Sequence, residues 1–255
     1  MTRSRPRSLL FLLAAILLFG GLWQPHDPDA VDLQLRHAGP SYAHPLGTDH
    51  LGRDLLSRML EAGWRSGLVV LTVGVLGFIG GALLGTTAAV LGGWGEQVIL
   101  RSAEMFIIVP TLLWALTAAA LFGLSPLTAG LALGLAGIAS HALMAHSLAC
   151  RTLGQAYVGA ARALGVGSSR LLLRHVLPDT LPVLLIQVGS QSGQSVVAYA
   201  ALAFIGLGAD PSRPDWGSML YEYRMFIFDD PWLMLWPGLA IAVTAMLLGL
   251  TFDPR

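Results

Sequence analysis

Gln187, Ser190, Gln191 and Gln194 recur at helical spacing in a stretch without charge, with Ser195 at the edge of the set. Amides and hydroxyls both donate and accept hydrogen bonds. They suit bonds between helices, or a neutral conduit for a polar solute, and the lining of a translocation path is the preferred reading. His141 and His146 are five residues apart, which puts them on different faces of a helix, so this pair alone does not chelate a metal. One of them on the path is a further candidate; packing or a backbone bond is the plainer reading. Thr48-Asp49-His50-Leu51-Gly52-Arg53-Asp54 crowds donors and acceptors together. Asp49 or Thr48 can cap a helix that begins near Leu51, and Asp54 with Arg58 makes an i,i+4 pair. His44, Asp49 and His50 offer ligand atoms, but histidines of aqueous loops usually serve other ends, and no metal site is expected. A serine hydrolase built on His141 or His146 would need a Gly-x-Ser-x-Gly elbow, which the sequence lacks.

The elements that must position these groups are apolar helices. Hydrophobic residues make up 55% of the 255, charged residues only 12%, and the mean hydropathy is +0.66; soluble domains carry about a quarter charged residues. Charge-free runs separate Arg65 from Glu96, Glu104 from Arg151, Asp179 from Asp210 and Asp230 from Asp253. A run of about 20 apolar residues spans a hydrocarbon core of about 30 Å. The chain reads as an all-α, polytopic membrane helix bundle of about six spans, at residues 9–23, 67–91, 105–122, 126–149, 181–207 and 232–250. Arg3, Arg5 and Arg7 precede the first run, and no small-x-small cleavage site follows Trp23, so that run reads as an uncleaved helix. With both termini cytoplasmic, the inner side holds nine arginines and four acids, and the outer side six arginines and eleven acids. Residues 1–255 form one membrane domain, with longer outer segments at 24–66 and 208–231, an inner one at 151–180, and a short loop at 92–104. Leu51, Leu55, Leu56, Met59 and Leu60 give the predicted outer helix an apolar face for the membrane interface. Gly77, Gly81 and Gly85 form a small-residue stripe for close helix packing.

Several classes are excluded. The net charge is zero, which argues against nucleic acid. Cys150 is the one cysteine, so there is no internal disulfide and no multi-cysteine cluster. All basic residues are arginine, and a P-loop needs lysine, so the chain is no P-loop ATPase by itself.

Residues 155–178 read as two short helices bent at glycine. The first is Ala-rich and ends at Arg162-Ala163-Leu164, with Gly165 in the left-handed position after it. Ser168 or Ser169 caps the second, which Pro178 breaks. The product is a knob with small side chains, able to seat in a partner's groove. Here Gly159-Ala160-Ala161-Arg162-Ala163-Leu164-Gly165, followed by Leu177-Pro178, resembles the coupling loop of permease subunits of binding-protein-dependent ABC importers. The residues from His44 to Arg58, and Ala203 to Gly208 followed by Pro214-Asp215-Trp216-Gly217-Ser218-Met219, resemble the peptide/nickel branch of that family. With Trp236-Pro237-Gly238-Leu239 and Asp253-Pro254-Arg255, the likeness covers nearly the whole chain from Asp27. Gly159 replaces the family's leading Glu, and the run common before the final Asp-Pro-Arg is missing, so the last helix is expected to end sooner.

The resemblance implies the type I ABC importer permease fold, in a bacterial inner membrane. Tyr157, Gly159 to Gly165 and Pro178 would couple to ATPases, while Asp49, His50, Arg53, Asp54 and Trp216 would frame the outer mouth. The implied partners are a second homologous permease, two cytoplasmic ATPase subunits, a solute-binding protein outside and membrane lipid. This chain would bind no cofactor, with ATP and Mg on the ATPases. Asp27-Pro28-Asp29, His50 and Leu235-Trp236-Pro237 tilt the cargo toward nickel or a metal chelate over di- or oligopeptides. The alternative is a secondary transporter or channel not driven by ATP, which usually carries intramembrane acids; none lies in the predicted spans.

Overall fold

The computed structural model describes residues 17, 19–207 and 213–251. The predicted span at 9–23 therefore lies mostly outside the described residues, as do Arg3, Arg5, Arg7, Gly208 and Asp253-Pro254-Arg255. Among the described residues every regular element is helical.

Asp54 opens the longest helix, α1 (Leu55–Leu91): its Oδ2 accepts from the Ser57 amide at 2.8 Å. This corrects the expected cap at Thr48 or Asp49 and the separate interfacial helix near Leu51. At about 1.5 Å per residue, the 37 residues of α1 exceed the bilayer core. Its first turns thus continue one membrane helix outward and are held by other elements. Leu71, Val75, Ile79 and Leu83 form its outward stripe. On the opposite side, Gly77, Gly81 and Gly85 admit a neighbouring backbone: a Cβ at Gly81 would lie 2.2 Å from His141 Cβ, and one at Gly85 2.1 Å from the Ala142 carbonyl oxygen.

That neighbour is α4 (Pro126–Leu153), started by a reciprocal Ser125/Thr128 capping box. Between them run α2 (Gly93–Ile108) and α3 (Thr111–Phe122), bent by 75°. Two expectations change here. After the cap at Gly92, residues 93–104 are helix, and the span at 105–122 is broken at Pro110, which has no amide hydrogen and holds Val109 extended at φ −82°, ψ 120°.

After α4 come the short α5 (Ala156–Ala163) and α6 (Ser168–Leu171), a π-helical turn Leu172–Val176 and α7 (Leu177–Phe204). Pro178 does not break this run, and Ser168 is a first helical residue, with Gly167 at the cap position. The Leu177 amide donates five residues back, to the Leu172 carbonyl, and the wider turn absorbs the donor that Pro178 lacks. A short α8 (Trp216–Tyr223) and α9 (Trp232–Thr251) complete the bundle. Among the described residues four helical segments are long and apolar enough to cross a membrane, and a fifth if the bent pair counts as one.

Candidate translocation path and its two ends

The polar face of α7 opens on a cavity of about 580 Å³. Gln187, Ser190, Gln191 and Gln194 all line it, opposite Gly137 and Ser140 of α4 and Phe106 of α2. No charged residue lines it among the described residues. The Gln191 amide lies on the bare backbone of Gly137, where a Cβ would be 1.7 Å from Nε2. Its Oε1 is enclosed with no partner among the described residues. An unsatisfied acceptor at a cavity wall is available to water or to a polar solute. Ser195 also touches the cavity, but its hydroxyl donates to the Ser192 carbonyl at 2.7 Å.

The structure places both histidines away from this cavity. His141 is buried between α1 and α4; its Nδ1 donates to the Gly137 carbonyl at 2.9 Å, its ring covers Gly77 and its Cβ packs on Gly81. His146 lies farther along α4, with Nε2 2.6 Å from Glu96 Oε1.

At the α5 end the first half of the knob has the predicted form, whereas its second half runs on into α7. Leu164 caps α5, Gly165 follows at φ +83°, and two bonds close the motif: Gly165 to the Arg162 carbonyl at 2.9 Å, and Val166 to that of Ala161 at 3.1 Å. This pairing satisfies two end carbonyls and requires the left-handed residue. Val158, Leu171 and Val176 anchor the knob, while Tyr157, Gly159, Ala160, Arg162, Ala163 and Leu164 are exposed. Nothing stands within 4 Å of a Cβ at Gly159 or Gly165.

The opposite end is locked by charge. Asp49 Oδ1 accepts from the amides of Leu51 and Arg53, at 2.8 and 3.0 Å, and its Oδ2 from Arg53 Nε at 2.7 Å and the Tyr223 hydroxyl at 3.1 Å. Glu222 takes Arg53 on one oxygen and Arg58 at 3.0 Å on the other. The expected Asp54–Arg58 pair is absent: Arg58 turns to Glu222 and Asp29, and Asp54 caps α1 while accepting His44 Nδ1 at 2.9 Å. Burial works against ionisation of Asp49, but Arg53, Arg58 and the two amides outweigh it and hold its carboxyl below the usual range. Burial also pushes His50 down, against the pull of Asp49 and Glu222.

His44 does not join Asp49 and His50, whose ligand atoms gather instead with that of Glu222, all within 4.8 Å of one another. His50 stacks on Phe226 with centroids 4.9 Å apart, whereas His44 faces His26 at 4.6 Å. Asp49, Arg53, Asp54 and Trp216 are nearly fully buried, so at this end of the bundle they act as struts and present little surface to a partner. Trp216 Nε1 donates to the Met59 carbonyl at 3.3 Å, and a Cβ on Gly217 would lie 2.2 Å from the Ala200 carbonyl oxygen. The Trp-Gly pair therefore wedges α8 between α1 and α7. Sequence reasoning missed Glu222, the acid that joins both arginines; the one available signal was an acid within the apolar run of α8.

Comparison with known proteins places the whole arrangement. The chain is 34% identical to the probable D,D-dipeptide transport system permease protein of Escherichia coli K12, covering 96% of this chain and 82% of that one. It is 33% identical to the nickel transport system permease protein of the same organism, over 96% and 88%. The glutathione transport system permease protein of Pectobacterium atrosepticum is 31% identical, over 96% and 81%. Among solved structures, an inward-facing MetNI methionine ABC transporter chain superposes with a TM-score of 0.60 at 16% identity, over 77% of this chain and 93% of that one, which establishes the fold. Residues 62–253 match the family described as the inner membrane component of binding-protein-dependent transport systems, and to that family, by a match across most of its length, this chain belongs.

Proposed function

We propose that this chain builds one wall of the import path of an ABC importer and transmits the work of cytoplasmic ATPases through α5. The observation that carries the reading is the cavity on α7: four neutral hydrogen-bonding side chains face one space, and Ser190 and Gln194 are exposed on a helix of membrane-crossing length. Polar groups at that depth face a bundle interior or water, not lipid. A second homologous permease covers that face, two ATPases holding ATP and Mg dock on Gly159 to Gly165, and a solute-binding protein meets the α8 end. Both termini and the knob are cytoplasmic.

The cargo we favour is a chelated nickel ion. Neutral amides and hydroxyls match a complex whose charge is already neutralised, and they offer poor ligands to a bare cation. A di- or oligopeptide is the second reading, supported by the dipeptide-permease relative at nearly equal identity. Proteoliposomes holding the full complex, with ATP on the ATPase side, test both. Nickel with a small chelator is expected to enter, bare nickel and labelled dipeptide to compete weakly, and Gln191→Glu to change the rate. Dipeptide uptake in preference to the chelate would reverse the cargo assignment; uptake without ATP would overturn the coupling.

A further inference from the structure

A second cluster lies at the α5 end of the bundle, apart from the cavity. Glu96 on the first turn of α2 faces His146 and Cys150, which sit one turn apart on α4. His146 Nε2 is 2.6 Å from Glu96 Oε1 and 3.4 Å from Cys150 Sγ, and the three ligand atoms all lie within 4.8 Å of one another. A single imidazole nitrogen thus faces a carboxylate oxygen and a sulfur together. An N–H there can serve only one of them well, whereas a cation would serve all three.

We propose that Glu96, His146 and Cys150 form a binding site for one borderline-to-soft divalent cation of the zinc class. The donor set of thiolate, imidazole and carboxylate is the one such ions prefer. Tetrahedral bonding at ordinary zinc distances puts sulfur and nitrogen roughly 3.5 Å apart and nitrogen and oxygen about 3.3 Å apart. The sulfur–nitrogen separation already meets the first figure, and a small rotation of the Glu96 side chain meets the second. The charges also balance, since a thiolate and a carboxylate neutralise a divalent ion. On binding, the Cys150 proton leaves to solvent. Cys150 is exposed and next to Arg151, close to the end of α4, so an ion can reach the site from the aqueous side. Three protein ligands leave a fourth position for water. The ion would tie α2, whose far end brings Phe106 and Ile107 to the cavity, to α4. This site stands whether the cargo is a chelate or a peptide.

Cys150 is the one thiol of the chain, so its alkylation by a maleimide, read by mass on this subunit in the assembled complex, reports occupancy directly. Zinc is expected to slow alkylation and magnesium to leave it unchanged. Glu96→Gln and His146→Asn should each weaken the protection by about tenfold or more, the loss seen even when an outer-shell partner is removed. The two changes lie on different helices, so a variant that fails to assemble leaves the other to decide. Zinc that does not slow alkylation of the unaltered chain, or that protects an assembled variant equally well, would overturn the site.

Discussion

The two ends of this molecule are held by opposite means. At the α8 end, Asp49, Arg53, Arg58 and Glu222 close a network in which three of the four side chains are almost fully buried. At the α5 end, the knob presents mainly small residues to the outside, together with Tyr157, Arg162 and Leu164, and is anchored by three apolar side chains. Ion pairs removed from water resist the loss of any member, because the remaining charge is stranded. A knob of small residues can slide or tilt within a groove at little cost. The contrast teaches a division of labour: one end fixes α1, α7 and α8 relative to each other, and the other, on the function proposed above, is free to follow a partner.

The largest expected effect comes from breaking the locked end. Glu222→Ala removes the carboxylate that joins the two guanidinium groups, leaving them to share Asp49, and should destabilise the chain by about 3 kcal/mol, the low end of the cost of removing one partner from a buried pair. Glu222→Gln keeps a hydrogen-bond acceptor and should recover part of that loss. Thermal unfolding of the purified chain in detergent reads both. An alanine variant as stable as the unaltered chain would show that the network adds nothing.

At the free end the effect should be on coupling more than on stability. Gly165→Val forces a β-branched residue to φ +83°, where nothing crowds the side chain but the backbone itself is strained. The penalty is roughly 1–2 kcal/mol, enough for about a five- to thirty-fold change in the population of a marginal conformation. We expect insertion and ATP hydrolysis to persist while uptake per ATP falls. Unchanged uptake would remove the knob from the coupling step.

Local features of both ends were legible in the sequence; their long-range partners were not. The left-handed glycine after α5 follows from Arg162-Ala163-Leu164-Gly165, because a helix end needs a residue that accepts positive φ. The polar face of α7 follows from spacing alone. By contrast, no periodicity could show that Arg58 reaches Glu222, 164 residues away, rather than the acid one turn before it. The same limit explains the misplaced helix start: Asp49, Thr48 and Asp54 are all good caps, and tertiary contacts with Arg53 and Tyr223 decide that Asp49 is used elsewhere. The break at Pro110 was visible as a proline in an apolar run, but the span length hid it. Small-residue stripes announced close packing on α1 without naming α4 as the neighbour.

The smallest effect is also the one that separates the two ends by pH. Burial leaves His50 neutral in the folded chain and below its ordinary value of 6.5, against the attraction of Asp49 and Glu222. The unfolded chain therefore takes up the proton first, and stability falls as pH drops below 6.5. Asp49 adds to the loss at lower pH: its carboxyl is held below 3.8, so its contribution is present above that value and disappears as pH falls through the lower folded-state one. Both groups belong to the locked end, so acidification should loosen that end first. Hydrogen exchange from about pH 8 to about pH 5, the range that brackets histidine titration, should show amides around residues 49–58 and 216–223 losing protection while those of α5 change only with intrinsic rate. In His50→Gln the loss in this window should shrink. If the variant and the unaltered chain lose protection equally, the pH sensitivity arises elsewhere, and the locked end is held by its arginines without help from the histidine's neutrality.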